Sequence, residues 1–422
     1  MLRLDRICVY ITLLGMIFII PSIRYIKFID ELCAFLFACV AFLDSIVNGN
    51  WRKYKLLWGV IIIMILYAIY SVVFAKFNVI QAIVLDLVIS LKPFVPFIVM
   101  FAVGPRFVEL DKQIMRGVCL INAILSIIAL CCGYGVVKLI YFHPMYCGAV
   151  IFVSLMFFLY CNMDKNGQVS RISLIFVVIL LALGLLCTRA KYFGEFVLAM
   201  FFLFAYRPGI MRQLTLKRAL GLLAVGVLII AVSWNKIEYY FLTGNSGTFD
   251  PSVVESYARP VLYATSFLIL LEFIPFGSGL GSFATYASEQ FYSDVYFYYG
   301  IDKVYGLSPT YSAFICDAYY PSLAQFGFAG LILFICFWRY SYNFIRIALR
   351  QENFRFKNLF IIGSLIICFI LIECTSGTIF TQSIGAIAMA LYGMICAQGK
   401  ELCIKGEEIE KSEQENILTR KI

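Results

Sequence analysis

Charge is what this chain has least of. Asp, Glu, Lys and Arg make up 14% of its 422 residues, where a soluble domain carries about a quarter. With 62% hydrophobic residues and a mean hydropathy of +0.91, the sequence excludes a soluble globule and predicts a polytopic membrane protein. Histidine occurs once, at His143, which excludes a multi-histidine metal centre. The 15 cysteines lie nearly all inside apolar stretches and form no CxxC, so neither a zinc site nor a disulfide framework is expected. No glycine-rich loop ends in Gly-Lys-Ser or Gly-Lys-Thr, and the reading implies no nucleotide, no other cofactor and no metal.

The net charge is +9. The Lys and Arg residues sit in short loops beside apolar runs, where they set topology and meet anionic headgroups. Nucleic acid is not an expected partner, because no basic face carries stacking or base-reading groups. Membrane lipids are.

About twelve apolar stretches are long enough to span a bilayer: 7–23, 32–47, 56–74, 82–104, 117–136, 145–161, 172–187, 192–206, 219–234, 322–345, 359–377 and 379–397. The first lacks a small-residue cleavage site and is expected to stay as an anchor. Counting Lys and Arg in the short loops gives eighteen on the side of the N-terminus and six on the other. The positive-inside rule then places both termini in the cytoplasm and the polar run 236–320, between the ninth and tenth stretches, outside. The expected fold is all-α: a single membrane domain over 1–398, one long extracytoplasmic loop containing short helices, and a charged cytoplasmic tail over 399–422.

The run 236–320 carries eight carboxylates, three bases and thirteen of the 27 tyrosines. Such a surface suits either a glycan-gripping groove or an interfacial aromatic belt. Two cations, Arg189 and Lys191, stand against the positive-inside rule just after the seventh stretch. An arginine fork matches phosphate oxygens and a lysine adds a point charge; the alternative is headgroup snorkelling with a Lys191 to Glu195 pair. Arg259, ahead of Pro260 at what reads as the first helical position, would make an anion site at the membrane surface, or else pair with Glu255 or Glu272. Gly277, Gly279 and Gly281 match no phosphate loop and by themselves mean a tight turn or close backbone approach. Asp317 is either a general base at a partly desolvated edge or a helix cap or arginine partner. Asp44, Asp86, Lys92 and Glu373 are charges at membrane depth, and hence functional suspects.

Thr188-Arg189, then Ala258-Arg259 leading through an apolar helix to Pro275-Phe276-Gly277-Ser278-Gly279-Leu280-Gly281-Ser282-Phe283, and finally Asp317-Ala318-Tyr319-Tyr320-Pro321 occur in that order. In this the chain resembles the O-antigen polymerase and O-antigen ligase superfamily of bacterial membrane glycosyltransferases. The resemblance implies an inner-membrane enzyme that takes a glycan from undecaprenyl pyrophosphate and joins it to an acceptor hydroxyl, without nucleotide sugar or metal. It implies that Arg189 and Arg259 hold the pyrophosphate, assisted by Lys191, and that Asp317 stands where ligases carry a histidine. Its absence favours polymerase over ligase and leaves the base unassigned. Gly277, Gly279, Gly281, Tyr311, Tyr319 and Tyr320 are the expected substrate-binding positions. Donor and acceptor lipid-linked glycans, a chain-length regulator and a flippase are the implied partners. A transporter or flippase for the same lipid is the rival class, and it would lean on the charges at membrane depth.

Overall fold

A computed structural model describes residues 3–164, 166–206, 257–349 and 356–419, with isolated residues at 227, 234 and 238. These residues are helical, with no strand among them and two isolated bridges. Six helices are long and apolar enough to cross a membrane: Trp51–Ala75, Ile80–Val103, Glu109–Cys131, Pro144–Cys161, Tyr320–Ile347 and Ser383–Ile404. Apart from residues 227, 234 and 238, the ninth apolar stretch, 219–234, and loop residues 235–256 lie outside the described residues.

Several expected spans differ in detail, each for a local reason. The first stretch breaks at Phe18 into α1 (Leu4–Ile17) and α2 (Ile19–Arg24), where Pro21 stands in the first turn of the second helix and its missing N–H costs nothing. Helix α3 (Ile29–Val47) runs the length expected but opens with Asp30 and Glu31 and closes near Asp44. Helix α4 (Lys55–Tyr70) widens into a π turn over Ser71–Ala75. The fourth stretch is α5 (Ile80–Leu91) and α6 (Phe94–Val103), broken at Lys92-Pro93. Helices α7 (Glu109–Cys131), α8 (Tyr134–Tyr141), α9 (Pro144–Cys161), α10 (Arg171–Gly184) and α11 (Ala190–Met200) follow.

The centre of the bundle is α9. Sixteen of its 18 residues are buried, as expected of a helix apolar on every side. His143 caps it, its Nδ1 accepting from the Met145 N–H at 3.3 Å. Around α9 pack α7, α10, α16 (Lys357–Glu373) and α17 (Ser383–Thr419), while α6 lies along α17.

At one end of the bundle sits a cap formed by residues 257–319. It holds α12 (Ala258–Glu272), α13 (Tyr286–Gln290) and α14 (Val295–Tyr298), and it has its own core of Leu262, Ile269, Phe283, Val295, Tyr296 and Ile315. Most cap tyrosines are committed to this architecture. Tyr296 is fully buried and accepts from Ala284 N–H at 2.9 Å, Tyr292 donates to Leu307 O at 2.6 Å, and Tyr298 and Tyr299 both donate to Glu272. Those bonds, Tyr298 first, hold the Glu272 carboxyl below its ordinary pKa.

The glycine stretch fastens the cap to the bundle. Gly277 has φ +76° and its missing Cβ would lie 2.2 Å from Ala324 O; Gly327 has φ +61° and its Cβ would lie 2.3 Å from Pro275 O. Two backbones therefore touch directly, which no larger residue permits. Leu280 N–H donates to Ser71 Oγ at 2.7 Å, and Gly281 N–H reaches Asp86 Oδ2 and Gln325 Oε1, each at 3.0 Å. Gln325 Nε2 completes the knot by donating to Asp86 Oδ2 at 2.8 Å. Asp86 thus serves as the anchor into which the cap is hydrogen-bonded.

Candidate functional site

The turn at the end of α16, residues 373–378, ties together the elements that carry Lys191 and Arg259. From one side comes Lys191, in the first turn of α11. Its ammonium pairs with Glu373 and donates to Ser376 O at 3.0 Å. Tyr192 fixes that helix start. Its hydroxyl donates to Leu181 O at 3.0 Å, and its ring fills the space beside Gly184, where a Cβ would fall 2.0 Å from the Tyr192 hydroxyl. Arg189 is the N-cap residue of α11, preceded by Thr188 in the left-handed conformation at φ +52°. Arg189 Nε is buried without a hydrogen-bond partner. A non-glycine residue at positive φ beside an unsatisfied guanidinium marks a turn held against its local preference.

From the other side comes the cap. Helix α12 begins at Ala258, so Pro260 is its third residue, two later than expected, and still in the turn where no N–H is needed. Tyr263, one turn beyond Arg259, donates to Thr375 O at 2.8 Å and ties the helix to the 373–378 turn. The backbone N–H groups of Tyr319 and Tyr320 both reach Cys374 O, at 3.1 and 3.4 Å, and the Tyr320 hydroxyl donates to Leu371 O at 2.7 Å. Between these ties, Arg259 and Asp317 form an ion pair at 2.6 Å, with side chains 23% and 30% exposed. Arg259 therefore pairs with Asp317 rather than with Glu272, which the two tyrosines occupy; Glu255 lies outside the described residues.

Lys191 is likewise paired across helices and not with its neighbour one turn on. Glu195 is buried with no hydrogen-bond partner for either oxygen, close to the Lys191–Glu373 pair. The other charges at membrane depth also find partners. Lys92 binds Asp30 Oδ2 at 2.7 Å and Glu31 Oε1 at 2.6 Å. Asp44 receives Asn48, Asn50, Lys53 and Tyr54.

A cavity of about 940 Å³ lies beside this turn, between the cap and the ends of the bundle helices. Its lining includes Cys316 and Tyr319, on either side of Asp317, and Thr378, together with Arg24, Lys27, Asp30, Lys92, Thr285 and Tyr286. Arg189, Lys191, Arg259 and Asp317 do not line it. Asp317 falls between the lining residues Cys316 and Tyr319, and the turn bonded by Lys191 and Tyr263 ends at the lining residue Thr378. Among the described residues no cluster of three or more His, Cys, Asp or Glu side chains is arranged to hold a metal ion.

The chain matches no protein-family model and no curated protein.

Of the expected substrate-binding residues, Tyr319 lines the cavity at 8% exposure, its ring 5.1 Å from Phe380. Tyr320 is held by its hydroxyl to α16. Tyr311 is exposed and stacks with Tyr305 and Phe314 at the surface of the cap. Gly277, Gly279 and Gly281 are packed between cap and bundle, the missing Cβ of Gly279 falling 2.9 Å from Ser71 Oγ and that of Gly281 2.9 Å from Ala82 O. Of the cavity's own cations, Lys92 stood out as a charge at membrane depth, while Arg24 and Lys27 are what sequence reasoning passed over. Their signal was present, since Arg24 and Lys27 are two of the six cations counted on the sparse side of the membrane.

Proposed function

We propose that this chain is an O-antigen polymerase: a glycosyltransferase that joins undecaprenyl-pyrophosphate-linked repeat units at the outer face of the bacterial inner membrane. The single observation that supports it best is that Lys191 and the helix carrying Arg259, distant in sequence, are both tied to one turn beside a cavity of sugar-accommodating size. Arg189 stands two residues from Lys191, its Nε buried without a hydrogen-bond partner. In this reading the twelve-span topology holds, both termini are cytoplasmic, and the cap faces the periplasm.

The chemistry follows from the charges. As the anomeric carbon of the donor glycan separates from its diphosphate, negative charge grows on the leaving oxygens. Guanidinium and ammonium groups fixed at a partly desolvated turn stabilise that charge more than water does. Without substrate, Asp317 and Glu373 satisfy the cations and spare them a lone burial; the diphosphate takes their place on Arg259 and Lys191. Asp317 is then a positioning residue that keeps Arg259 aimed at the turn. The energy comes from the substrate's own glycosyl diphosphate bond.

The test is genetic and then biochemical. Loss of the chain from its own cells is expected to leave lipopolysaccharide capped with one repeat unit; bare core would instead indicate the ligase. Purified protein given lipid-linked repeat units is expected to lengthen the glycan without ATP, an outcome that transport alone does not produce.

A further inference from the structure

A polymerase needs two substrates, and the cation turn accounts for one. We propose that the 940 Å³ cavity is the acceptor site: Arg24 and Lys27 hold the diphosphate of the incoming lipid-linked glycan at its rim, and Asp30 takes the proton from the attacking sugar hydroxyl. This inference rests on the polymerase reading.

Three observations carry it. The volume is that of a pocket for an extended polar ligand, near the upper end of the usual range for small-molecule sites. Second, Arg24 and Lys27 are exposed cations lining the cavity, and among the described residues neither forms an ion pair. Arg24 is steadied by donating to Lys138 O. In contrast, Lys92, Lys191 and Arg259 each have a carboxylate already. Phosphate oxygens are the charge-assisted acceptors that an open Arg and Lys recognise.

The third observation concerns the floor. Lys92 is 6% exposed and faces two carboxylates, Asp30 at 2.7 Å and Glu31 at 2.6 Å. One ammonium cannot satisfy four oxygens, and Asp30 Oδ1 and Glu31 Oε2 are buried without hydrogen-bond partners. Asp30 itself is 6% exposed. An unsatisfied buried carboxylate oxygen in a cavity wall calls for a donor, and a sugar hydroxyl is one. Asp30 and Asp317 are each held by one cation, Lys92 and Arg259; Asp30 is the one of the two that lines the cavity and keeps a buried oxygen without a hydrogen-bond partner. In the transfer, the bond from the donor anomeric carbon to the diphosphate oxygen breaks and a bond from that carbon to the acceptor oxygen forms. The hydroxyl proton moves to Asp30 Oδ1, and the lipid diphosphate leaves with the bonding pair.

The experiment uses the full chain in nanodiscs and two probes, farnesyl-diphosphate-linked N-acetylglucosamine and phosphatidylglycerol, with the R24Q/K27Q double variant. The variant is expected to bind the glycolipid at least tenfold more weakly, about the worth of one lost charge-assisted contact, with phosphatidylglycerol binding unchanged. Equal losses for both probes make this a headgroup site and overturn the proposal, as does unchanged affinity for the glycolipid. Asp30→Asn is expected to bind the glycolipid within about twofold of wild type and to lengthen lipid-linked repeat units about a hundredfold more slowly, the usual yield of a general base. Full-rate elongation by Asp30→Asn overturns its role. Should Asp30→Asn not fold, the exposed double variant decides alone. The two readings fail separately: elongation by wild type with an unaltered acceptor KM in R24Q/K27Q sinks only the acceptor site, whereas glycolipid binding that depends on Arg24 and Lys27 without any elongation sinks only the polymerase.

Discussion

At the scale of single residues, the account turns on which cations are committed and which carboxylates keep them company. Arg259 and Arg189 differ in this respect: the first pairs with Asp317, whereas among the described residues the second forms no ion pair. Both are expected to lose on the order of a hundredfold or more in polymer formation when changed to Ala, the cost of removing one preorganised donor, with protein still in the membrane. Densitometry of lipopolysaccharide ladders against immunoblots checks it, and normal ladders from either variant remove that residue from the diphosphate. Lys191 is different, because Glu373 and Glu195 are buried beside it. Lys191→Ala is expected to destabilise the protein by on the order of 3 kcal/mol by stranding a buried carboxylate. Adding Glu373→Gln should recover part of that loss, read by unfolding in SDS. A double variant no more stable than the single one contradicts the pairing.

At the scale of elements, the decisive contact is backbone on backbone where the glycine stretch meets the 3-10 turn Tyr320–Phe326. Gly277→Ala is expected to prevent the cap from docking, since its Cβ would meet Ala324 O at 2.2 Å and its φ is positive. Gly117→Ala, in α7 with nothing within 4 Å of its Cβ, is the control that should fold normally. The fraction of monodisperse protein after detergent extraction measures both. The elements also mark where sequence reading succeeded and where it stopped. Helices such as α7 and α9 were legible because long uninterrupted apolar runs have one solution in lipid. The breaks at Phe18 and Lys92 were not, because a kinked membrane helix and two shorter ones share the same hydropathy. The roles of Asp86 and Gln325, 239 residues apart, follow only from tertiary packing. Lys191 and Arg259 were legible as cations with a task, yet their partners were not: Glu373 and Asp317 lie far along the chain, and nothing local names them.

At the scale of the whole molecule, orientation and catalysis remain to be joined. Tyr305 is 69% exposed on the cap. In a cysteine-free background, Tyr305→Cys is expected to react with a membrane-impermeant thiol reagent from outside the inner membrane; labelling only from the cytoplasmic side contradicts the proposed topology. The most direct test of the central claim is the length of glycan made by the purified chain from lipid-linked repeat units, wild type beside Arg259→Ala. A ladder from wild type without any nucleotide, reduced about a hundredfold or more in the variant, is the predicted result. No ladder from wild type, or equal ladders from both, would contradict it.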